Sequence, residues 1–217
     1  DVSRVGETAL ALVDYKLSNA NLFSLPAGNV GVAIGTEWRY ESFENDYDDR
    51  LDGTIAYQDA VTGTLYETDV MGSSGQPDAD GSRNVFSAFV ELAGPLISPD
   101  MAIPLVDKLD FQLAGRYEKY NDVGSVFKPK AVLSWYPVKS LQVRASYAEG
   151  FRAPNLEQLH TARTNRVNYP VDYYRCQARV NKGEIDSLSA CSGTDSIENI
   201  RLGNPDLKPE KDYNYGV

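Results

Sequence analysis

Apolar and polar residues alternate with period two along long stretches of this chain. The clearest is "NVGVAIGTEWRY", Asn29 to Tyr40. Val30, Val32, Ile34, Thr36, Trp38 and Tyr40 fall on one side; Gly31, Ala33, Gly35, Glu37 and Arg39 fall on the other. Such alternation places the two faces of one strand in different environments. The apolar side ends in Trp38 and Tyr40, and rings that close an apolar band are what a membrane–water interface selects. A run of about ten residues is also the length of a tilted bilayer crossing.

The pattern recurs. In "NVFSAFVEL" (Asn84 to Leu92), Phe86, Ala88, Val90 and Leu92 alternate with Val85, Ser87, Phe89 and Glu91. In "LDFQLAGRYEKY" (Leu109 to Tyr120), Phe111, Leu113 and Tyr117 alternate with Gln112, Arg116 and Glu118. In "FKPKAVLSWY", Ala131, Leu133 and Trp135 oppose Lys128, Lys130 and Ser134. In "LQVRASYAE", Leu141, Val143, Ala145 and Tyr147 oppose Gln142, Arg144, Ser146 and Ala148. A weaker strand is expected over Ala9 to Leu17, and a last one beginning near Tyr213. The second face is repeatedly charged, by Glu37, Arg39, Glu91, Arg116, Lys130 and Arg144. A soluble β-sandwich also alternates, so alternation alone leaves two architectures open. Connection lengths separate them. The intervals between the expected strands are about 10, 42, 14, 6, 4 and 61 residues. Both very long ones are even-numbered, and antiparallel up-and-down strands put odd and even connections at opposite ends. Short turns at one end and long loops at the other, with the 6-residue link "NDVGSV" as the exception, describe an outer-membrane barrel, with the charged face lining its lumen.

Composition narrows the reading. Tyr (14) outnumbers Phe (7), and 17 Gly and 11 Pro supply turns, a mix that favours strands. A net charge of −10 argues against a nucleic-acid partner, which wants a basic patch. No apolar run approaches the length of a transmembrane helix, an absence that says nothing about strands. The opening "DVSRVGETAL" lacks the features of a signal peptide, and "DYNYGV" reads as a strand just beginning. The expectation is an internal piece of a longer protein.

Little points to chemistry. "ESFENDYDDRLDG" is dense in acids, and Asp48, Asp52, Gly53 and Asp59 fall near calcium-loop spacing. Arg50, however, stands where the second ligand belongs, so a solvated acidic loop is the reading and no metal or cofactor is expected. Cys176 and Cys191 lie in a polar, loop-like stretch with no partners at zinc spacing. That fits a disulfide in an oxidising compartment, with two free thiols as the other reading. His160 is the single histidine, and no nucleophile–base set can be assembled around it, so no enzyme activity is expected.

Four stretches carry a family resemblance: "FSLPAGNVGVAIGTEWRYE", "FVELAGPLI", "GFRAPNLEQL" and "LGNPDLKPEKDYNYGV". The third holds Gly150, Phe151, Arg152, Ala153 and Pro154; the fourth holds Asn204, Pro205, Leu207, Pro209 and Glu210. Together they resemble, in the family's order, the barrel half of TonB-dependent outer-membrane receptors. The resemblance implies an all-β fold: an antiparallel meander of about seven strands spanning residues 1–217, one part of a barrel of about 22 strands whose lumen is plugged. It also implies an outer-membrane location, lipid around the barrel, an N-terminal plug domain, an inner-membrane TonB energy complex and a small nutrient ligand such as a metal chelate, carbohydrate or vitamin. Neither plug nor TonB box is recognised here. A sheet of this size has two unpaired edges and encloses no lumen alone. The alternative is a soluble, secreted β-sandwich used in binding or adhesion. It would bury Trp38, Trp135, Val30, Val32 and Ile34, which a barrel piece would leave on one exposed face.

At the corner "SYAEGFRAPNLEQL", Gly150 is expected to relieve the backbone, Pro154 to open a short helix, and Leu156 and Leu159 to pack down as a cap. Arg152 and Glu210 are expected to belong to one loop-anchoring cluster at the outer rim.

Overall fold

A computed structural model of the chain describes residues 2–70, 72–193 and 196–217. The strands are β1 (Arg4–Leu25), β2 (Gly28–Tyr47), β3 (Tyr57–Gln58), β4 (Leu65–Tyr66), β5 (Ala79–Ile97), β6 (Lys108–Tyr120), β7 (Gly124–Val138), β8 (Leu141–Arg152), β9 (Thr164–Asn168), β10 (Ile197–Arg201) and β11 (Glu210–Gly216). Among the described residues two α-helices, α1 (Leu156–His160) and α2 (Tyr173–Asn181), lie in the last long connection. One seven-stranded sheet runs in the order β1-β2-β5-β6-β7-β8-β11, an up-and-down meander in which every neighbour follows the last along the main path of the chain.

Connections 26–27, 98–107 and 139–140 leave one end of this sheet; 48–78, 121–123 and 153–209 leave the other. Both long connections leave the same end, which they share with the short 121–123 turn. The chain divides into two compact units. One, Glu7–Phe43, Asp80–Leu159 and Asn204–Val217, carries most of the sheet. The other, Asp1–Gly6, Glu44–Ala79 and His160–Gly203, carries strand ends and the two long connections.

The strands are longer than their alternation suggests. The segment expected over Ala9 to Leu17 runs from Arg4 to Leu25, and the one expected from Tyr213 begins at Glu210. β2 continues through "ESFENDY" to Tyr47. Past the apolar band both faces meet polar surroundings, so the period-two signal fades while the backbone ladder continues. The long connections shorten accordingly and contain structure of their own. β3 pairs with β4 and β9 with β10, both antiparallel.

Register assigns the faces. Across β5, β6, β7 and β8, Leu92 faces Leu113, Leu113 faces Ala131, and Ala131 faces Tyr147. One step along, Glu91 faces Ala114, Ala114 faces Lys130, and Lys130 faces Ala148. Cross-strand partners share a side, so an apolar face and a polar face run unbroken across four strands. Ile34, Trp38 and Trp135 are 46%, 44% and 38% exposed. Exposure of this apolar face sets the sandwich reading aside, and the two remaining sheets have only two strands each. Val30 departs from the expected exposed band. It is fully buried, because Gly94 has no side chain and Val30 packs into that space, with its Cγ2 2.9 Å from where a Cβ would stand.

Candidate functional site

The polar face is cross-linked side chain to side chain. Arg39 lies between two carboxylates of its own strand, 3.0 Å from Glu37 Oε1 and 2.5 Å from Glu41 Oε1. Residues two apart on a strand share a face, so "EWRYE" builds this clamp from sequence spacing alone. Arg116 on β6 pairs with Glu118 two residues on, and reaches Glu37 at 3.7 Å and the Ser87 hydroxyl at 3.4 Å. The Tyr120 hydroxyl donates to the second Glu118 oxygen at 2.7 Å. Gln112 donates to Glu91 at 2.7 Å. Where β8 runs past the end of its ladder with β7, buried Lys128 lies 3.5 Å from Glu149 Oε2, and the other Glu149 oxygen accepts at 2.6 Å from the hydroxyl of Tyr147, a residue of the apolar face. Buried charges persist only when paired in this way.

Register and side-chain contacts assign charged residues to the polar face. Glu91, Arg116 and Lys130 lie on it by register, and Arg144 joins them through its partner Ser134. Glu37 is tied to the same side by Arg116. Glycine lets an aromatic ring lie flat here. A Cβ on buried Gly35 would overlap the Phe89 ring and stand 2.9 Å from the Tyr15 carbonyl. Lys16 caps that ring, its ammonium 5.7 Å from the centroid. An open recess of about 590 Å³ follows on this face, with Lys16, Phe89, Glu91, Arg116, Lys130 and Phe151 among its walls.

The corner after β8 is built differently from the sequence expectation. β8 continues through Gly150 to Arg152, and Gly150 is not in the left-handed region. Its lack of a side chain serves a close approach instead: a Cβ would stand 2.7 Å from Asp212 Oδ1 on β11. Pro154 does not open α1; Asn155 caps it. The Asn155 amide donates to Gln158 Oε1 at 3.0 Å, and the Gln158 amide donates to Asn155 Oδ1 at 2.7 Å. This reciprocal pair is a capping box, and Asn is a better cap than a proline without an N–H. Leu156 and Leu159 are buried beneath the helix, while His160 is exposed.

Arg152 and Glu210 stand directly across from each other in the β8–β11 ladder. Both are exposed, and among the described residues no ion pair joins them. The two signature segments meet instead through that ladder and through a backbone bond from the Asn204 amide to the Gln158 carbonyl, 2.9 Å. The Asn204 side chain accepts from the Asp206 amide at 2.9 Å, and the Leu207 amide returns to the Asn204 carbonyl at 3.3 Å, which makes "NPDL" a self-bonded turn.

The cation that holds the corner is Arg83, which the sequence reading did not single out. It is buried. Its Nε and Nη2 lie 2.7 and 2.6 Å from Glu41 Oε2, and its Nη1 donates to the Pro154 carbonyl at 2.7 Å. The guanidinium sits over the Tyr120 ring, 5.3 Å from the centroid, and Phe151 meets the same ring edge-on at 6.1 Å. Arg83 lies beyond the alternating part of β5, in "ADGSRN". No local pattern marks a residue whose partners are 42 and 71 positions away.

In the second unit, α2 is capped by Asp172, which accepts from the Arg175 amide at 3.0 Å. Cys176, expected in irregular chain, lies on this helix and is joined to Cys191 by a disulfide. A recess of about 660 Å³ beside α2 is lined by Asp172, Arg175, Arg179, Lys182 and Glu184 among others. The acids of the first long connection act on nearby backbone. Asp48 accepts from the Arg50 amide, Asp52 from the Thr54 amide and Asp59 from the Val61 and Thr62 amides. The two amide bonds, Thr62 foremost, hold the Asp59 carboxyl below its usual range. The Arg50 guanidinium is raised by its hydrogen bond to Asp69.

Comparison with known proteins agrees with this construction. No curated protein matches the sequence. A solved structure described as the siderophore receptor PirA from Acinetobacter baumannii is similar, with a TM-score of 0.54 at 17% identity over 98% of this chain. The chain spans 24% of that receptor's length. Residues 6–217 match the family described as TonB dependent receptor-like, beta-barrel, a family of receptors and transporters rather than enzymes. This chain therefore belongs to the TonB-dependent receptor β-barrel family.

Proposed function

We propose that this chain is part of the barrel of an outer-membrane receptor that binds a small nutrient and imports it with energy from the inner membrane. The observation that carries the reading is the two-faced sheet. One face is apolar and exposed across its strands; the other is polar and tied together by ion pairs. A lipid-facing exterior and a water-filled, plugged interior require that division. The partners are outer-membrane lipid, a plug domain seated against the polar face, the TonB complex and a small ligand at the outer loops. The signature residues Gly150, Phe151, Arg152, Ala153 and Pro154, with Asn204, Pro205, Leu207, Pro209 and Glu210, frame the root of the longest loop and act as framework rather than as ligand contacts.

Ligand class rests on the loops. The similar solved structure is a siderophore receptor, so a ferric chelate is the first ligand to test, ahead of carbohydrates and vitamins. The test uses the full-length receptor in Gram-negative cells and measures uptake of radiolabelled ferric chelates, oligosaccharides and cobalamin. Energised import gives uptake of one class that disappears when the TonB complex is deleted. Uptake unaffected by that deletion, or recovery of the protein outside the outer-membrane fraction, overturns the reading.

A further inference from the structure

Two arginines of the longest connection, 153–209, stand on one face of its hairpin. In the β9–β10 ladder Thr164 faces Arg201, Arg166 faces Asn199 and Asn168 faces Ile197. Cross-strand partners share a side, as do residues two apart along a strand. Arg166 and Arg201 are therefore diagonal neighbours, about 7–8 Å apart. Both are exposed, and among the described residues neither enters an ion pair. The hairpin's one acid, Glu198, lies on the opposite face, where Asn165 donates to it.

The same face runs into the recess of about 660 Å³ beside α2, because Ile197 is one of its walls. Arg179 and Lys182 stand on the α2 side of that recess. Both acids of its lining are already committed. Asp172 accepts from the Arg175 amide at 3.0 Å, and Glu184 lies 3.4 Å from Arg179 Nε. Lys182 is exposed and has no ion pair among the described residues. The Cys176–Cys191 bond joins α2 to the chain that supplies Ser192, so two sides of the recess are held together covalently.

The surroundings make this basic track distinctive. The chain has a net charge of −10, and the other long connection, 48–78, is dense in acids with Arg50 as its single base. We propose that the track from Arg166 and Arg201 to Lys182 binds the anionic arms of a chelate, so that the receptor selects a polyanionic, oxygen-rich ferric complex over a neutral one. This inference rests on the import reading above and names the ligand class. Each guanidinium is a planar fork that bonds paired oxygens in its plane, and two forks at diagonal spacing reach different arms of one ligand. The lysine adds a compact charge on a flexible stem. Phosphates of lipopolysaccharide offer the same oxygen chemistry from the membrane surface, and the track is assigned to the chelate because its recess is shaped for a small molecule.

Equilibrium binding of radiolabelled iron complexes to the full-length receptor in phospholipid vesicles tests the assignment. The probes are the ferric complex of a tris-catechol ligand, which is anionic, and that of a tris-hydroxamate ligand, which is neutral. The anionic complex should bind about ten-fold more tightly or better, and its affinity should fall as salt rises from about 0.05 to 0.5 M. Arg166→Gln combined with Arg201→Gln should weaken it about five-fold or more, and the matching pair of lysine substitutions should restore part of that loss. Val167→Ser, on the opposite face of the hairpin, should leave it unchanged, which separates loss of charge from loss of the hairpin. Binding of neither complex, equal affinity for the two, or full binding by the glutamine pair overturns the proposal. So does displacement of the anionic complex by lipopolysaccharide added to the vesicles, which would give the track to the lipid. Salt-independent binding by the unsubstituted receptor overturns it as well, and that measurement stands if the glutamine pair fails to fold. Import is scored separately: TonB-dependent uptake of an oligosaccharide or a neutral chelate sinks this proposal and leaves the import reading standing, whereas loss of TonB dependence sinks the import reading.

Discussion

Gly35 shows how much a single missing side chain can decide. It lies in the middle of β2 on the polar face, where alternation alone puts an ordinary small residue. What it does is make room for the Phe89 ring of β5. We expect Gly35→Val to destabilise the receptor by about 1–3 kcal/mol, as overpacking does, read as a shift in urea midpoint in lipid vesicles. Adding Phe89→Leu should recover part of the loss. If the two substitutions prove additive, the ring and the glycine are not coupled. Asp59 is the residue whose protonation matters outside the membrane. Amide bonds from Thr62 and Val61 hold its folded pKa below the unfolded value. Its contribution to the turn is present above the unfolded carboxylate pKa and is lost as pH falls through the folded one. The Val61 and Thr62 amide resonances of the labelled receptor should titrate with a midpoint below that of free aspartate, about 3.9; a midpoint at or above it contradicts the assignment. Asp59 stood out in the sequence only as one of four residues near calcium-loop spacing. Its role was not legible, because the partners are amides whose direction depends on the turn.

Elements in the loops were the least legible. α2, β9 and β10 lie in a polar stretch without apolar period, and are held by the Asp172 cap, the β9–β10 ladder and one covalent bond. The Cys176–Cys191 bond closes a separation of 15 residues, for which chain-entropy estimates give about 3 kcal/mol. Replacing both cysteines by serine should speed limited proteolysis within residues 173–192 while leaving the sheet resistant. Equal cleavage before and after would mean that the hairpin of β9 and β10 orders the loop unaided. α1 was readable as a short helix but its start was not. Pro154 has the composition of a first helical residue, yet its carbonyl is taken by Arg83 and the cap passes to Asn155. Asn155→Ala should cost about 1 kcal/mol and raise exchange at Gln158. A helix unaffected by that change would mean that burial of Leu156 and Leu159 holds it. At the opposite end of the sheet, Leu105 takes a left-handed conformation with φ 61°, and its carbonyl accepts the Trp135 indole at 3.0 Å. That bond gives the interfacial tryptophan its polar partner and steadies a costly backbone.

At the scale of the molecule, neighbouring residues of one strand belong to two solvents. Leu113 lies on the exposed apolar face and Gln112, beside it, on the polar face. Leu113→Arg should destabilise the receptor by about 2–4 kcal/mol, the cost of a cation facing lipid near mid-membrane. Gln112→Arg keeps a donor to Glu91 and should be nearly neutral. Folding yield and urea midpoint in defined bilayers distinguish the two. Similar losses at both positions would mean that the sheet has no lipid-facing side.

The division between the two faces, the strand count and the segregation of long loops to one end followed from period two and from spacing, because each strand reports its surroundings locally. The signature segments were likewise legible, as motifs in order. What the folded chain added is contact between residues distant in sequence: Arg83 beneath Pro154, Phe89 across Gly35, Asn204 against Gln158. Arg152 and Glu210 illustrate the limit. Sequence placed them at one corner, and the ladder sets them face to face, yet the charge that anchors the corner comes from three strands away. A pattern along the chain encodes which side a residue faces; which residue it meets there depends on register and on how the sheet curves, and those are properties of the whole.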